Sequence, residues 1–176
     1  MTALRAPIDG PVLTTDRLTL RPPRMADRDA HAAFYASDDS ASVGGPFTGK
    51  ETWRVFAALS GHWALMGYGW FMIERRDTGR VIGMTGLHHP PVHADREIGW
   101  TLFTDRGQGF VTEAARAARD WGRDTLPPAR LVSYIDPANG PSQAVARRLG
   151  ATTDGTRAAH NPVCEIWVHP TPEAPR

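Results

Sequence analysis

The chain has 176 residues, of which 41% are hydrophobic and 22% charged, and its formal net charge at neutral pH is +1. This length and apolar content fit one globular domain with a substantial core, and the near-zero charge gives no electrostatic footprint for nucleic acid. A single cysteine excludes an internal disulfide, and no apolar run approaches the ~20 residues of a membrane span, so we expect a soluble, cytoplasmic protein without a membrane partner.

Hydrophobic periodicity divides the chain into alternating segments, typical of strands, and segments with apolar residues three or four apart, typical of helices. Strands are predicted at 16–21, 69–74, 80–87, 97–103, 130–135 and 164–169, with one more near 152–157, and helices at 26–37, 52–66, 111–122 and 142–149. This order favours an α+β, or mixed α/β, fold in which a mostly antiparallel central sheet of six or seven strands is flanked by helices. We expect residues 1–176 to form a single domain, with a core over about 14–169 and loose termini.

Two of the predicted elements carry more detailed expectations. Segment 16–21 ends at a Pro-Pro pair and predicts an edge strand, and the helix at 26–37 would turn Ala30, Ala33 and Phe34 inward. Before the second helix, "GGPFTGKET" nearly spells a phosphate-binding loop, but Glu51 stands where Ser or Thr would hold magnesium. Because Thr48-x-x-Glu51 precedes an apolar run, a capping box is the better interpretation.

A glycine-rich turn, "DRGQG", joins the strand at 97–103 to the following helix. One interpretation is conformational, since glycine tolerates a positive φ at a helix start. The other is functional, since Gly107 and Gly109 would bare the first N–H groups of the helix, where a phosphate can bind. The helix has an apolar stripe of Val111, Ala114, Ala115, Ala118 and Trp121, with Arg116, Arg119, Asp120 and Arg123 on its other faces.

One further pattern resembles a cofactor-binding motif of a different enzyme class. Gly107-x-Gly109-x-x-Thr112, with Asp136 ending the next strand, approaches the dinucleotide fingerprint of a small NAD-type oxidoreductase. Thr112 replaces the third small residue, however, and the ~65 residues that remain cannot complete a doubly wound sheet.

Histidines and one cysteine raise the question of a metal site. His88, His89 and His93 share a Pro-rich loop, and their spacing to His160, His169 and Cys164 matches no zinc pattern. We therefore expect no metal, and we expect Cys164 to be a core residue rather than a nucleophile.

Several motifs, in order, resemble those of the GNAT acetyltransferases. "RGQGFV" (106–111) resembles the Arg/Gln-x-x-Gly-x-Gly/Ala signature, although Val111 replaces the last small residue. The segments 97–103, 112–122 and 139–151 resemble the fourth strand, the pyrophosphate helix and the Asn-x-x-Ser helix of the family. "TDRLTLRP" resembles the opening of the RimJ/RimL-like branch, which acetylates protein N-termini or small amines. The likeness covers residues 14–169, and Ala146 stands where many members carry a tyrosine acid.

The resemblance implies an acetyl-CoA-dependent N-acetyltransferase without a metal, acting on an amine acceptor (a small molecule or a protein N-terminus) as a monomer or homodimer. Two alternatives stay open, a GNAT-like domain that binds CoA without catalysis and the small NAD-type oxidoreductase. The residues implied in cofactor binding are Thr101, Leu102, Phe103, Arg106, Gly107, Gln108, Gly109, Phe110, Val111, Thr112, Asn139 and Ser142.

The resemblance also suggests residues for catalysis. Glu97 is the candidate base, acting through water, or else a residue that only orders its strand. Ser142 is a candidate partner of the thiolate, or else the cap of its helix. Asn139 is expected to hold the pantetheine or the loop backbone, or else to cap the helix or form a turn.

The acceptor would enter between the loops 38–48 and 158–163, where Asp38, Asp39 and Trp70 are the candidate substrate contacts. A solvated acidic loop is the alternative for the two aspartates. The aromatic residues that could line a pocket or join the core are Trp63, Tyr68, Trp70 and Trp100.

Overall fold

The computed structural model describes residues 8–171. Of the loose ends predicted outside about 14–169, residues 1–7 and 172–176 lie outside the described residues. The strands are β1 (Leu13–Thr14), β2 (Leu18–Arg21), β3 (Trp70–Arg75), β4 (Val81–His88), β5 (Arg96–Leu102), β6 (Leu131–Ile135), β7 (Arg157–Ala158) and β8 (Asn161–Val168). The helices are α1 (Arg28–Tyr35), α2 (Gly49–Met66), α3 (Phe110–Thr125) and α4 (Gly140–Arg148), with short 3₁₀ helices at Met25–Asp27 and Asp38–Val43. Over this range, none of the helices combines the length and apolar character needed to cross a bilayer.

The strands form one sheet in the order β1-β2-β3-β4-β5-β6-β8-β7. Every neighbouring pair is antiparallel except β5 and β6, which run parallel because α3 crosses over between them. The predicted mixed, mostly antiparallel sheet is therefore confirmed, with eight strands rather than six or seven in the described range. The difference comes from β1 and β7, which are two residues long and too short to show alternation. Since β1 pairs with β2, the predicted edge position of segment 16–21 is wrong.

Helices cover both faces of this sheet. Successive residues of β3 point to opposite faces, so that Phe71 packs in a cluster with α3, whereas Met72 packs with α1 and α2. The predicted stripe of α3 is buried at Ala114, Ala115 and Ala118. Arg119 lies off this stripe, as predicted, yet its side chain is only 11% exposed, and it donates to the carbonyl oxygen of Leu149 at the end of α4. A guanidinium satisfies the free carbonyls of a helix end there.

Helix α1 differs from its predicted orientation. His31, Phe34 and Tyr35 are its buried residues, whereas Ala33 is exposed and Ala30 only partly buried. Phe34 is buried as predicted, but His31 and Tyr35, rather than the two alanines, complete the buried face. Both ring nitrogens of His31 are buried without a hydrogen-bond partner in the described chain, and burial lowers its pKa to about 4, so it packs as a neutral aromatic ring.

The capping box predicted before α2 is present. The hydroxyl of Thr48 accepts from the Glu51 amide, and the Glu51 carboxylate accepts from the Thr48 amide at 2.9 Å. We expect Thr48→Ala to lower the free energy of unfolding by about 0.5–2 kcal/mol, because α2 loses its N-cap. Denaturant unfolding measures this loss. Lys50→Ala, in the exposed first turn, is the control and should change neither stability nor cofactor binding. Equal destabilisation by both variants would contradict the role of the cap, and loss of nucleotide-dependent stabilisation in Lys50→Ala would favour the phosphate-loop interpretation.

Candidate active site

The two parallel strands of the sheet separate shortly after they meet. Only Arg96↔Leu131 and Glu97↔Val132 pair, although β5 and β6 both continue beyond these residues. Just past the last pair, the hydroxyl of Ser133 donates to the carbonyl oxygen of Ile98 at 2.6 Å. We call the gap beyond this point the fork. Along it, the edge of β5 that faces β6 lacks a strand partner, which leaves backbone groups open to an extended ligand.

A cleft of about 370 Å³ opens at the fork. Its walls bring together five of the residues predicted to bind cofactor or substrate or to act in catalysis, Trp70, Glu97, Thr101, Asn139 and Ser142. These residues come from β3, β5 and the start of α4. The cleft therefore gathers the predicted catalytic residues Glu97 and Ser142 at one place, together with part of the predicted cofactor set.

The end of the predicted cofactor segment on β5 has a different environment. Phe103 lies just beyond β5, its amide donates to the carbonyl oxygen of Ile82 at 2.8 Å, and its ring stacks on Phe34 with ring centroids 5.0 Å apart. Its side chain thus belongs to the aromatic cluster under α1. Thr101 and Leu102 remain on the part of β5 beside the fork.

The glycine-rich turn leads from the end of β5 to the start of α3. Gly107 and Gly109 have φ angles of +80° and +79°, so glycine is required there for conformational reasons. Open space surrounds both glycines in the part of the chain that the structure describes. There, no atom lies within 4 Å of a Cβ built at Gly107, and the nearest atom to a Cβ at Gly109 is an Arg17 nitrogen at 3.6 Å. Among residues 8–171, no side chain caps α3, so its first amides are available to an anion. The two interpretations of the glycines are therefore compatible.

Arg17 holds this turn through hydrogen bonds, a role that the sequence did not predict. Its guanidinium donates to the carbonyl oxygen of Gln108 at 3.0 Å and pairs with Glu113 at 2.6 Å. Although burial alone would raise the pKa of Glu113, hydrogen bonds from Thr15 and Arg17 lower it, so the carboxylate stays ionised. About ninety residues separate Arg17 from the turn, and no local pattern marks such a contact.

Glu97 lies at the base of the fork, with 18% of its side chain exposed. It is the cross-strand partner of His88, and its Oε2 atom is 3.9 Å from His88 Nδ1 and 3.5 Å from His93 Nδ1. Burial lowers the pKa of His93, whose ring stacks on His160 with centroids 3.9 Å apart. Sequence spacing alone did not show this cluster, because it depends on the β4–β5 register.

The start of α4 forms the opposite wall of the cleft. Asn139 is the N-cap residue, and its Oδ1 atom accepts from the amide of Ser142 at 3.1 Å. The alternative that Ser142 caps the helix is therefore wrong, because Asn139 already fills that position. Across residues 8–171, no hydrogen bond engages the hydroxyl of Ser142, which leaves it free to contact a ligand in the cleft.

The loop expected to admit the acceptor contributes different residues from those proposed. Ser42 and Val43 line the cleft, whereas Asp38 and Asp39 do not, and Asp39 pairs with Arg106 at 3.2 Å on the exposed surface. Of the four aromatic candidates, Trp70 and Trp100 line the cleft, and Trp63 and Tyr68 belong to the core.

The side chains of Trp70 and Cys164 both line the cleft. Trp70 lies against Gly99, where an added Cβ would come within 2.3 Å of its ring, so only glycine fits under the indole. The prediction that Cys164 is a core residue is wrong, because its side chain is half-buried and lines the cleft. Burial raises the pKa of its thiol, which keeps it protonated and weakly nucleophilic.

Comparison with known proteins places this geometry in context. A family model described as the acetyltransferase (GNAT) domain matches residues 17–152. A crystallised acetyltransferase from Agrobacterium tumefaciens is similar at a TM-score of 0.87 and 40% identity, over 95% of this chain and 98% of that one. The uncharacterized N-acetyltransferase YoaA of Bacillus subtilis is 28% identical over 153 residues, which are 82% of this chain and 85% of YoaA. RimL, a ribosomal α-N-protein acetyltransferase in complex with coenzyme A, shares the fold at a TM-score of 0.72 and 18% identity, over 90% of this chain and 96% of that one.

Proposed function

Because the chain belongs to the GNAT acetyltransferase family, we propose that it transfers an acetyl group from acetyl-CoA directly to a primary amine. The observation that carries this proposal is the fork. It leaves a strand edge open beside an uncapped helix N-terminus and places a carboxylate at its base. This arrangement can hold a long, amide-containing, phosphorylated cofactor next to a proton acceptor.

The proposed cofactor position follows the open backbone groups. The pantetheine arm would pair with Thr101 and Leu102, in the manner of an added strand. The diphosphate would accept from the amides of residues 107–112, with side-chain donors from Arg106 and Gln108. Asn139 and Ser142 would contact the thiol end from the opposite wall of the cleft.

The proposed chemistry is direct attack of the amine nitrogen on the thioester carbonyl carbon. An amine with a pKa of about 8–10 arrives mostly protonated, so Glu97 would take its proton through water before the new C–N bond forms. Backbone N–H groups of β5 would stabilise the developing oxyanion until the C–S bond breaks. The Ser142 hydroxyl would donate to the departing thiolate. Ala146 has no acidic group, so the thiolate would take its proton from solvent or from the ammonium product.

We propose an acceptor of the RimJ/RimL-like class, a protein N-terminus or a small-molecule amine. The opening segment of the chain supports this choice, as does the shared fold with RimL, whose own description is that of an α-N-protein acetyltransferase. Trp70 and Trp100 would provide the apolar surface of the acceptor site, next to Glu97.

A thermal-shift experiment with acetyl-CoA, CoA, NAD and ATP tests the cofactor. We expect acetyl-CoA to raise the melting temperature, since a ligand at one hundred times its Kd stabilises the fold by about 2.7 kcal/mol, whereas NAD and ATP should not. A selective response to NAD would instead favour the oxidoreductase. Turnover with a panel of amines, measured by thiol release, then tests catalysis, and stabilisation by acetyl-CoA without any turnover would identify a CoA-binding domain.

A further inference from the structure

Three electron-pair donors converge at the rim of the cleft. One ring nitrogen of His88, one of His93 and a carboxylate oxygen of Glu97 all lie within 4.8 Å of one another. His88 and Glu97 meet because they are cross-strand partners, and His93 reaches the same carboxylate from the loop between β4 and β5. Three donor atoms this close together need a proton or a cation between them, because their lone pairs otherwise repel each other.

The distances between the ring nitrogens and the Glu97 carboxylate distinguish a shared proton from a bound cation. A hydrogen bond would bring a ring nitrogen to about 2.7–3.0 Å from the carboxylate oxygen. The observed separations from Glu97 Oε2 are 3.5 Å for His93 and 3.9 Å for His88. Zinc with bonds near 2.1 Å holds neighbouring tetrahedral ligands about 3.4 Å apart, which is closer to the observed values. In addition, His93 Nδ1 is fully buried and has no hydrogen-bond partner within the described chain.

The surrounding rings fix the histidines in this arrangement. His93 is stacked on His160 at 3.9 Å and lies edge-on to Tyr134 at 5.2 Å, measured between ring centroids. His62 packs beside His88, but both of its nitrogens are already engaged, with the carbonyl oxygen of Tyr68 and the amide of His89. The donor set available to an ion is therefore two imidazoles and one carboxylate.

From this geometry we infer that His88, His93 and Glu97 form a binding site for a divalent transition-metal ion, with Zn²⁺ as the best match. Two nitrogens and one carboxylate suit zinc, and they disfavour Mg²⁺ and Ca²⁺, which take oxygen ligands. His88 and Glu97 line the cleft, so the fourth coordination position faces the space proposed for the amine.

This inference rests in part on the proposed function, because Glu97 is also the proposed base. A zinc ion bound to its carboxylate takes the electron pair that would accept the proton of the amine. Zinc therefore inhibits acetyl transfer, and removal of the metal by a chelator restores it.

Binding is tested first, without any activity measurement, on metal-stripped protein from which any affinity tag has been removed. Calorimetry with Zn²⁺ should show one ion bound per chain, and Co²⁺ should give the intense visible absorption of a tetrahedral site. His93→Gln and His88→Gln should each weaken Zn²⁺ binding by more than the about 10- to 100-fold that loss of an outer partner costs. His89→Gln is the matched control and should bind as the wild type does.

Several results would overturn the site. They are failure of the wild type to bind Zn²⁺ stoichiometrically, unchanged binding in both His93→Gln and His88→Gln, or loss of binding in His89→Gln. Circular dichroism and thermal unfolding of each variant show whether a loss of binding reflects a loss of fold. If one variant is unfolded, the other decides, since each removes a different ligand, and if both are unfolded, a Co²⁺ spectrum of the wild type without tetrahedral bands overturns the site.

Inhibition is tested second, by mass spectrometry of the acetylated amine, because zinc also binds the released CoA thiol. Zn²⁺ should lower the rate of the wild type far more than that of His93→Gln, relative to each protein without metal. Equal inhibition of the two proteins would overturn the inhibitory role while leaving the metal site standing. Failure of the proposed base is a separate result, since it would appear as full activity of Glu97→Gln with the metal removed.

Discussion

Glu97→Gln is expected to lower kcat/KM for the amine acceptor by about 10²- to 10⁴-fold, with little change in acetyl-CoA affinity. Glutamine keeps the size of the side chain and its place beside His88 but cannot accept a proton. The measurement is steady-state kinetics over a pH series with a chelator present, which keeps metal ions from Glu97. The loss should shrink towards high pH, because an amine that is already neutral in solution no longer needs the base.

Glu165→Gln on β8 is the matched control for this experiment. Glu165 is a partly buried strand glutamate, 3.7 Å from Arg157 and not part of the cleft wall, and its substitution should leave the kinetics unchanged. Equal activity of Glu97→Gln and the wild type at every pH would exclude Glu97 as the base. Joint loss of stability and cofactor affinity would instead show that Glu97 orders its strand.

Gly109→Asp is expected to abolish the rise in melting temperature that acetyl-CoA produces. The new carboxylate would place bulk and negative charge where the diphosphate is proposed to bind, beside the first amides of α3. A Cβ at this position comes no closer than 3.6 Å to another side chain, so the substitution causes no clash. Its direct cost is the left-handed backbone conformation, roughly 1–2 kcal/mol, which thermal unfolding without ligand measures.

Gly79→Asp separates the conformational cost from the loss of the anion site. Gly79 has a φ of +67° in the turn between β3 and β4, and no atom of the described residues lies within 4 Å of its added Cβ. This variant should lose similar stability yet keep the full response to acetyl-CoA. A normal response in Gly109→Asp would show that the glycine-rich turn does not hold the diphosphate.

Local patterns were sufficient for most of the fold. The alternation of β5, the small-residue stripe of α3 and the capping box at Thr48 each depend on a few consecutive residues, and each is present. What these patterns did not predict has long-range causes. Arg119 is largely buried because the end of α4 packs beside it, and strand 16–21 is covered because β1 folds back onto it.

The residues of the site also fall into those that local motifs identify and those that only tertiary packing brings together. Sequence motifs marked Glu97, Asn139 and Ser142, which the fork brings to one cleft. Spacing rules did not associate His88 or His93 with Glu97, because their proximity is set by the register of a hairpin and the path of its loop. A register of this kind depends on tertiary packing rather than on a local signal.

The fork divides the sheet into two sets of strands, here called leaves, which are joined by a short ladder. One leaf contains β1 to β5, the other contains β6, β8 and β7, and the ladder between them has two residue pairs followed by the bond from Ser133. Few backbone hydrogen bonds therefore join the leaves, and apolar packing adds to them, since Ile98 on β5 shares a core cluster with Val145 on α4. A ligand that hydrogen-bonds to the open edge of β5 and contacts α4 would add the hydrogen bonds that the gap lacks. Binding of the proposed cofactor would then also join the two leaves of the sheet.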